Sequence, residues 1–402
     1  MGPGFFPLDA ELGLLPGSLT PRLQETLVRL STTQLSFAKA SAELAWHTGT
    51  TVHADTARRR TEAAGAVLVA HETAEVARIL REQPDPPAGP DTLLFSVDGA
   101  MVPVVGGQWK EVRTLAVGAV QPPQPGPDGP VIQTTTRSYF SRLTDSTTFA
   151  ELALPELQRR GIERAGRVGA VVDGADWCQR FIDYHYPAAV RILDLPHAAE
   201  HLTAIGQTPT PAGPLLTPAD QQRLRDDVRN AGPAGVLAEL RPLVAVFPPE
   251  AVVQTHLAYL DSRQAQLQYP QFVAEGWPIG SGIVESANKL VVEARLKGAG
   301  MHWEETNVNP MLALRNAFCN DRWAEAWSVI EQGVRQQVVG QRQNRRNQRC
   351  VIPSQPPAPP PSLPEPIPPL VTVKPSTPDV QPTHPWKRAW SVRRQRELAG
   401  AA

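Results

Sequence analysis

The order in which the apolar period changes between residues 92 and 193 most constrains what this chain can fold into. Short β-type runs cover Thr92–Val97, Trp109–Val120 and Thr135–Leu143; helical spacing follows over Phe149–Arg160, then a strand pattern over Arg167–Val172. A second helical stretch, Trp177–His185, and a last strand, Ala189–Leu193, complete the series. Three strands, helix, strand, helix, strand predict an α/β sheet whose first three members form an antiparallel meander and whose later members join through helices. The Pro-rich stretch Gln121–Pro130 is expected to be the loop between the second and third strands.

Two of these runs end on an aspartate. Asp98 stands in Ser-Val-Asp98-Gly-Ala and Asp173 in Val-Val-Asp173-Gly-Ala-Asp-Trp, which predicts a carboxylate at the carboxyl edge of each strand. Asp-Gly is also an ordinary turn signal. Asp176, close behind Asp173, is expected to cap the helix that begins at Trp177. Glu285 follows a Gly-Ser-Gly turn and opens a helical pattern through Ser286-Ala287-Asn288-Lys289-Leu290, near a helix start. Two strand-end aspartates and a helical glutamate, if they converge, suit hard divalent cations held by oxygen ligands, the arrangement used in phosphodiester chemistry.

From Trp277 the chain reads Trp-Pro-Ile-Gly-Ser-Gly-Ile-Val-Glu-Ser-Ala-Asn-Lys, then Glu-Ala-Arg-Leu-Lys-Gly-Ala-Gly-Met-His-Trp, Leu-Ala-Leu-Arg-Asn and Arg-Trp at Trp323. This resembles the third catalytic block of bacterial DDE transposases of the ISKra-type insertion sequences. Val-Asp98-Gly-Ala-Met-Val-Pro, and Val-Asp173-Gly-Ala-Asp-Trp followed by Leu-Asp194-Leu-Pro-His197-Ala-Ala-Glu-His201-Leu, resemble the first two blocks in the same order, over about residues 4 to 330. The resemblance implies a ribonuclease H-like core over residues 91–333 with a helical insertion at about 198–275, the insertion shaping a DNA channel and positioning Glu285. It further implies that Asp98, Asp173 and Glu285 are catalytic and hold two Mg²⁺ (or Mn²⁺) ions. The reaction would be hydrolysis and strand transfer on double-stranded DNA, at element ends and target, by a homo-oligomer on DNA.

The same resemblance implies an auxiliary role for Asp194 and His197; the plainer reading is a strand-ending aspartate with a histidine capping the next helix. His201 would share the helix face of His197, where a zinc site lacks a third ligand. Lys289, Arg295, Lys297, His302 and Trp303 would face DNA, the cations on phosphates and Trp303 on a base, although tryptophan is also a common core residue. Family members carry a cysteine-containing, zinc-ribbon-like region before the segment found here as Gly4-Phe5-Phe6-Pro7-Leu8-Asp9, and the chain has no equivalent cysteines. The expectation is a truncated or alternatively started form, with a non-catalytic, transposase-derived DNA-binding protein as the alternative function. A structure-selective nuclease would use the same carboxylates without joining ends, and a glycosidase fits the trio less well.

Residues 1–90 read as helical, with periodic stretches at Pro21–Ser31, Ser36–Trp46 and Asp55–Arg81 and a turn at Gly49. Arg58, Arg59 and Arg60 follow a capping Asp55 or Thr56 and suit either a helix-turn-helix recognition helix or a solvated basic face. Between Asp194 and Glu285 the chain is mostly helical, at Pro218–Ala231, Ala234–Leu240 and Glu250–Leu267. Residues 334–402 are predicted to be a basic, then Pro-rich, largely disordered tail; its arginines, from Arg335 to Arg349 and from Arg388 to Arg396, would add salt-sensitive phosphate affinity. A net charge of −1 makes any DNA surface local rather than global. Cys178, Cys319 and Cys350 show no pairing or zinc spacing, and no apolar run approaches the roughly 20 residues of a membrane span. A cytoplasmic protein, nucleoid-associated when bound to DNA, is expected.

Overall fold

The computed structural model describes residues 19–126 and 130–350, and the chain as far as Arg346 forms one compact unit. The described residues open with three helices: α1 (Pro21–Thr33), α2 (Phe37–Thr48) and α3 (Ala54–Glu82). Thr20 caps α1 by accepting from the Leu23 amide, and Gly49, left-handed at φ 69°, ends α2 at the predicted turn. The cap of α3 differs from expectation. His53, rather than Asp55 or Thr56, accepts the Asp55 amide through its ring nitrogen, because the Asp55 carboxylate is taken by Arg58 and Arg59.

The α/β class and the meander are as the period predicts. Strands β1 (Thr92–Val104), β2 (Gln108–Val120) and β3 (Thr134–Arg142) are antiparallel neighbours, while β4 (Arg167–Val172) and β5 (Val190–Leu193) add in parallel through α4 (Ser146–Arg159) and α5 (Asp176–His185). The sheet order is β3-β2-β1-β4-β5. β1 is much longer than its predicted end at Val97. Its register with β2 continues to Val104↔Gln108, because Ala100, Val102 and Val104 keep the period of two and are buried with Val112 of the partner strand. Asp98 is therefore inside a strand, not at its end. Asp176 likewise begins α5 as a helical residue instead of capping it; the cap position is Ala175, which has no side-chain cap bond.

Alternation along β1 divides the core in two. Leu93, Phe95 and Val97 point to a layer with Phe149, Ala153 and Leu157 of α4 and Phe181 and Ile182 of α5. Leu94, Ala100, Val102 and Val104 point the other way, toward the helices that follow β5. Those are α6 (Leu195–Gly206), a small ribbon of β6 (Pro209–Thr210) and β7 (Gly213–Pro214), α7 (Pro218–Ala231), α8 (Pro233–Val244), α9 (Val252–Ser262) and α10 (Tyr269–Ala274). A continuous helical stretch then runs through α11 (Gly282–Ala287), a π segment (Asn288–Glu293) and α12 (Ala294–Leu296). α13 (Glu305–Cys319) and α14 (Trp323–Cys350) close the described chain. The α14 backbone is helical past residue 334, where the predicted tail begins; the Pro-rich part, residues 351–402, lies outside the described residues, as does Gly4–Asp9. No helix among the described residues is long and apolar enough to cross a membrane.

The edge strand β3 is closed by three asparagines of the α13 region. Each amide bonds both backbone groups of one residue: Asn309 with Leu143 (2.7 and 3.0 Å), Asn316 with Ser141 (3.0 and 3.2 Å), and Asn320 with Tyr139 (2.8 and 2.8 Å). Alternate residues of an edge strand direct their N–H and C=O outward, and a side-chain amide satisfies both as a neighbouring strand would. Asn316 is 4% exposed, so Asn316→Ala would leave two buried backbone groups unpaired and should destabilise the protein by about 3 kcal/mol. Asn320→Ala, at the half-buried end of the series, should cost about 1 kcal/mol, the difference being measured by urea unfolding.

Candidate functional site

The last paired residues of β1 and β4 are Phe95 and Ala170. Three residues further along each strand stand Asp98 and Asp173, and neighbouring strands lie about 4.8 Å apart. Alternation in β1 sends Asp98 to the face of the sheet opposite α4 and α5, since Val97 before it belongs to that helical layer, whereas Asp173, one residue past the end of β4, turns toward the start of α5. Asp173 caps its own loop, accepting from the Ala175 amide at 3.0 Å and from the Cys178 thiol at 3.2 Å. Asp98 Oδ1 accepts from the Gly99 amide at 2.7 Å.

Glu285 arrives on α11, and two contacts set that helix against the aspartates. Asn288, one turn after Glu285, donates its side-chain amide to Asp98 Oδ2 at 2.9 Å. Asp194, 5% exposed, holds the turn that precedes the helix: its Oδ1 accepts the Ser281 amide at 2.7 Å, and its Oδ2 accepts the His197 amide at 3.2 Å to cap α6. The Leu195 amide adds a bond to the Ile279 carbonyl at 3.0 Å. Glu285 itself is exposed and has one contact of 3.5 Å, from the Ser281 hydroxyl.

Burial pushes the Asp98 carboxyl up to about 6, and the negative charges of Asp173, Glu111 and Glu285 push in the same direction, against the Gly99 amide that lowers it. Burial likewise raises Asp194, with its bonds to Ser281 and His197 opposing. The Cys178 thiol, buried beside Asp173, is pushed far above the thiol range, so it is a neutral donor to that carboxylate. The donors facing one another are oxygens, and Asn288 Oδ1 is a buried acceptor with no partner beside Asp98. This set fits a hard divalent cation, which would reverse the mutual repulsion of the acids. Among the described residues, no three His, Cys, Asp or Glu side chains converge closely enough to hold an ion by themselves. Binding would require the exposed Glu285 side chain to move inward or substrate oxygens to complete the ligand set.

Several residues expected to face DNA are placed otherwise. Arg295, 1% exposed, is turned into the core: it donates to the Ser31 carbonyl at 3.0 Å and its guanidinium lies over the rings of Phe37 and Trp303. Trp303, 6% exposed, is a core residue whose backbone pairs with Pro103 and Val105 beyond the acid on β1. Both are apolar-lined positions that anchor the α12 end against α1 and α2. Lys297 is paired with Glu293 at 2.8 Å, whereas Lys289 and His302 are exposed. Arg58 is shared by Asp55 and Glu62, Arg59 is paired with Asp55, and Arg60 is half-buried. The cap of α6 is Asp194 and not His197, whose ring faces Glu200 at 3.5 Å and the ring of His201.

Two site residues were not anticipated. Asn288 was visible as the position one helical turn after Glu285, on the same face. Glu111 lies mid-strand in β2 with no motif around it; it is paired with Arg113 at 2.6 Å, its carboxylate fills the space left by Gly99, where a side chain would collide with its Oε1, and its charge is among those that raise Asp98. No protein-family model matches the chain, and no curated protein does.

Because the folded state raises the Asp98 pKa above its unfolded value near 3.9, the native protein holds that proton more tightly. The associated stability is present at low pH and lost as pH rises from about 4 through about 6. Asp98→Asn keeps an oxygen acceptor for Asn288 without the charge. At pH 7 in chelator it should be more stable than wild type by at most about 3 kcal/mol, and the difference should vanish below about pH 4 in thermal unfolding.

Proposed function

We propose that the chain is a DDE-type transposase that cleaves DNA at the ends of an insertion sequence and joins the resulting 3′-hydroxyl to target DNA. The observation that carries this reading is that Asn288, one turn after Glu285, bonds the Asp98 carboxylate beside the strand end that leads to Asp173, which brings the elements carrying the three acids to one edge of the sheet. The order β3-β2-β1-β4-β5, an antiparallel meander extended by two parallel strands, supports a ribonuclease H-like core. A long helical insertion between Asp194 and Glu285 and a helical region before β1 agree with the domain plan of such enzymes.

Asp98, Asp173 and Glu285 would together hold two Mg²⁺ (or Mn²⁺) ions, which when bound would supply activation of a water or 3′-hydroxyl and stabilisation of the leaving oxygen. Backbone amides and side chains of this protein do the holding and orienting. The Gly99 amide and Asn288 fix the two oxygens of Asp98, the Ala175 amide fixes Asp173, and Asp194 sets the start of the helix that carries Glu285. All three acids act as carboxylates, so Asp98 must lose its proton, which the ions favour and protonation below about pH 6 opposes. Lys289, exposed one turn after Glu285, is placed to meet a phosphate of the bound strand. A homo-oligomer on DNA would bring two element ends together.

The test is Mg²⁺- or Mn²⁺-dependent cleavage of DNA spanning the flanks of its own gene, with cut positions read by sequencing. Discrete cuts at an inverted-repeat boundary, reduced to background by Asp98→Asn and by Glu285→Gln, are expected, together with joining of 3′-hydroxyl ends to target DNA. Cutting without joining would indicate a structure-selective nuclease. Binding without cutting would indicate a non-catalytic, transposase-derived DNA-binding protein.

A further inference from the structure

On that reading, we propose that Tyr259 of the insertion helix α9 and Arg263, the residue that ends it, are positioning residues for the second acid, holding the Asp173-Gly174 loop so that the Asp173 carboxylate faces Asp98. The Tyr259 hydroxyl donates to the Asp173 backbone carbonyl. Arg263 donates through Nε and Nη2 to the Gly174 carbonyl, at 3.1 and 2.7 Å. Gly174 is left-handed, φ 79°, and a side chain there would collide with the Tyr259 hydroxyl, Leu193 and Arg263. The loop therefore passes directly beneath α9 with both of its carbonyls bound from above, while the Ala175 amide holds the carboxylate from within the loop.

The two side chains are themselves braced. The Arg263 guanidinium lies 3.8 Å from the centre of the Tyr259 ring, and the His201 ring of α6 stacks on that ring at 3.9 Å with 3° between planes. Two groups this close to one ring centre must cover opposite faces, so Tyr259 is clamped between them. His256 of α9 meets His201 edge-on, at 71° between planes, its Nδ1 lying 3.0 Å from Nδ1 of His201, one nitrogen donating and the other accepting. Burial, and then the neighbouring His197, His256 and Arg263, lower His201 to about 4, keeping it neutral at neutral pH. The stack thus gives Tyr259 and Arg263 one geometry, and through them the insertion governs Asp173. Glu285 is governed elsewhere, by the grip of Asp194 on Ser281.

Tyr259→Phe deletes the hydroxyl and keeps the stacked ring, so the fold and DNA affinity should be unchanged. The expected effect is a rise of about 10-fold in the Mn²⁺ concentration for half-maximal cleavage, with the rate at saturating Mn²⁺ nearly preserved, the behaviour of groups that orient a metal ligand. Arg263→Ala should do the same, and Arg263→Lys, which restores one donor, should recover part of it. In the metal-free full-length chain, both Tyr259→Phe and Arg263→Ala should speed hydrogen exchange at the Ala175 and Asp176 amides. Unchanged Mn²⁺ dependence with unchanged exchange would overturn the proposal. Should the wild-type chain cut no DNA, the transposase reading fails, while the exchange measurement still decides whether α9 holds the loop.

Discussion

Strand β1 is the member on which the arrangement of the molecule depends. It is paired to β2 from Leu93 to its end at Val104 but to β4 only from Thr92 to Phe95. The antiparallel partner carries it beyond the parallel one, so the sheet has a step at its centre, and Asp98 emerges on that step beside the loop where β4 ends in Asp173. Ser96, just before the step, donates its hydroxyl to the Val171 carbonyl and ties the two strands at the point where they part. Ending β1 at Asp98, as an Asp-Gly turn would, removes the hairpin that buries Ala100, Val102 and Val104 and with it the surface that receives the Glu285 helix.

That helix is irregular where it crosses the sheet, and the irregularity is supported from a distance. A π segment leaves carbonyls out of the regular ladder. Buried Arg315 of α13 donates to those of Leu290 and Val291 and also to Thr32 at the end of α1. Arg295 reaches the adjacent Ser31 carbonyl. Two guanidinium groups thus satisfy the last carbonyls of α1 and the disturbed turn together, as cations at a helix carboxyl end should. The amino-terminal helices are in this way part of the support of Glu285 and Asn288, which ties the region before the sheet to the site in one set of polar contacts.

Much of this was legible in the period of the sequence and some was not, for identifiable reasons. Arg167–Val172 and Pro218–Ala231 have the bounds that alternation and helical spacing predict, since neither competes with another signal. At Asp98 the local turn signal of Asp-Gly competed with the alternation of Ala100, Val102 and Val104, and a long-range partner decided for the strand. Arg295 and Trp303 were read outward because charge and an aromatic ring after a catalytic-type block suggest a ligand; spacing does not say which face is buried, and a π segment breaks the regular count. The amides of Asn309, Asn316 and Asn320 read as ordinary polar positions, because their partners are backbone groups more than 150 residues away, as with the separation of 175 between Asn316 and Ser141. Such pairings have no local signature.

The acids differ in how firmly they are held, and the difference bears on what the site can do. Asp98 and Asp173 are fixed by backbone amides of the rigid sheet and its first loop, and Asp98 carries the electrostatic cost of that confinement. Glu285 is exposed, with a single long contact, on a helix whose origin is gripped by Asp194 while its side chain is left free to turn. On the proposed reading, two fixed acids and one adjustable acid would let the sheet define where charge accumulates and the helix close around it. On the proposed reading, the proton on Asp98, the approach of a polyanionic strand and the inward turn of Glu285 are coupled through one quantity, the negative charge at the step in β1. A cation held there would favour the approaching strand and the inward turn of Glu285 and would drive the proton off Asp98.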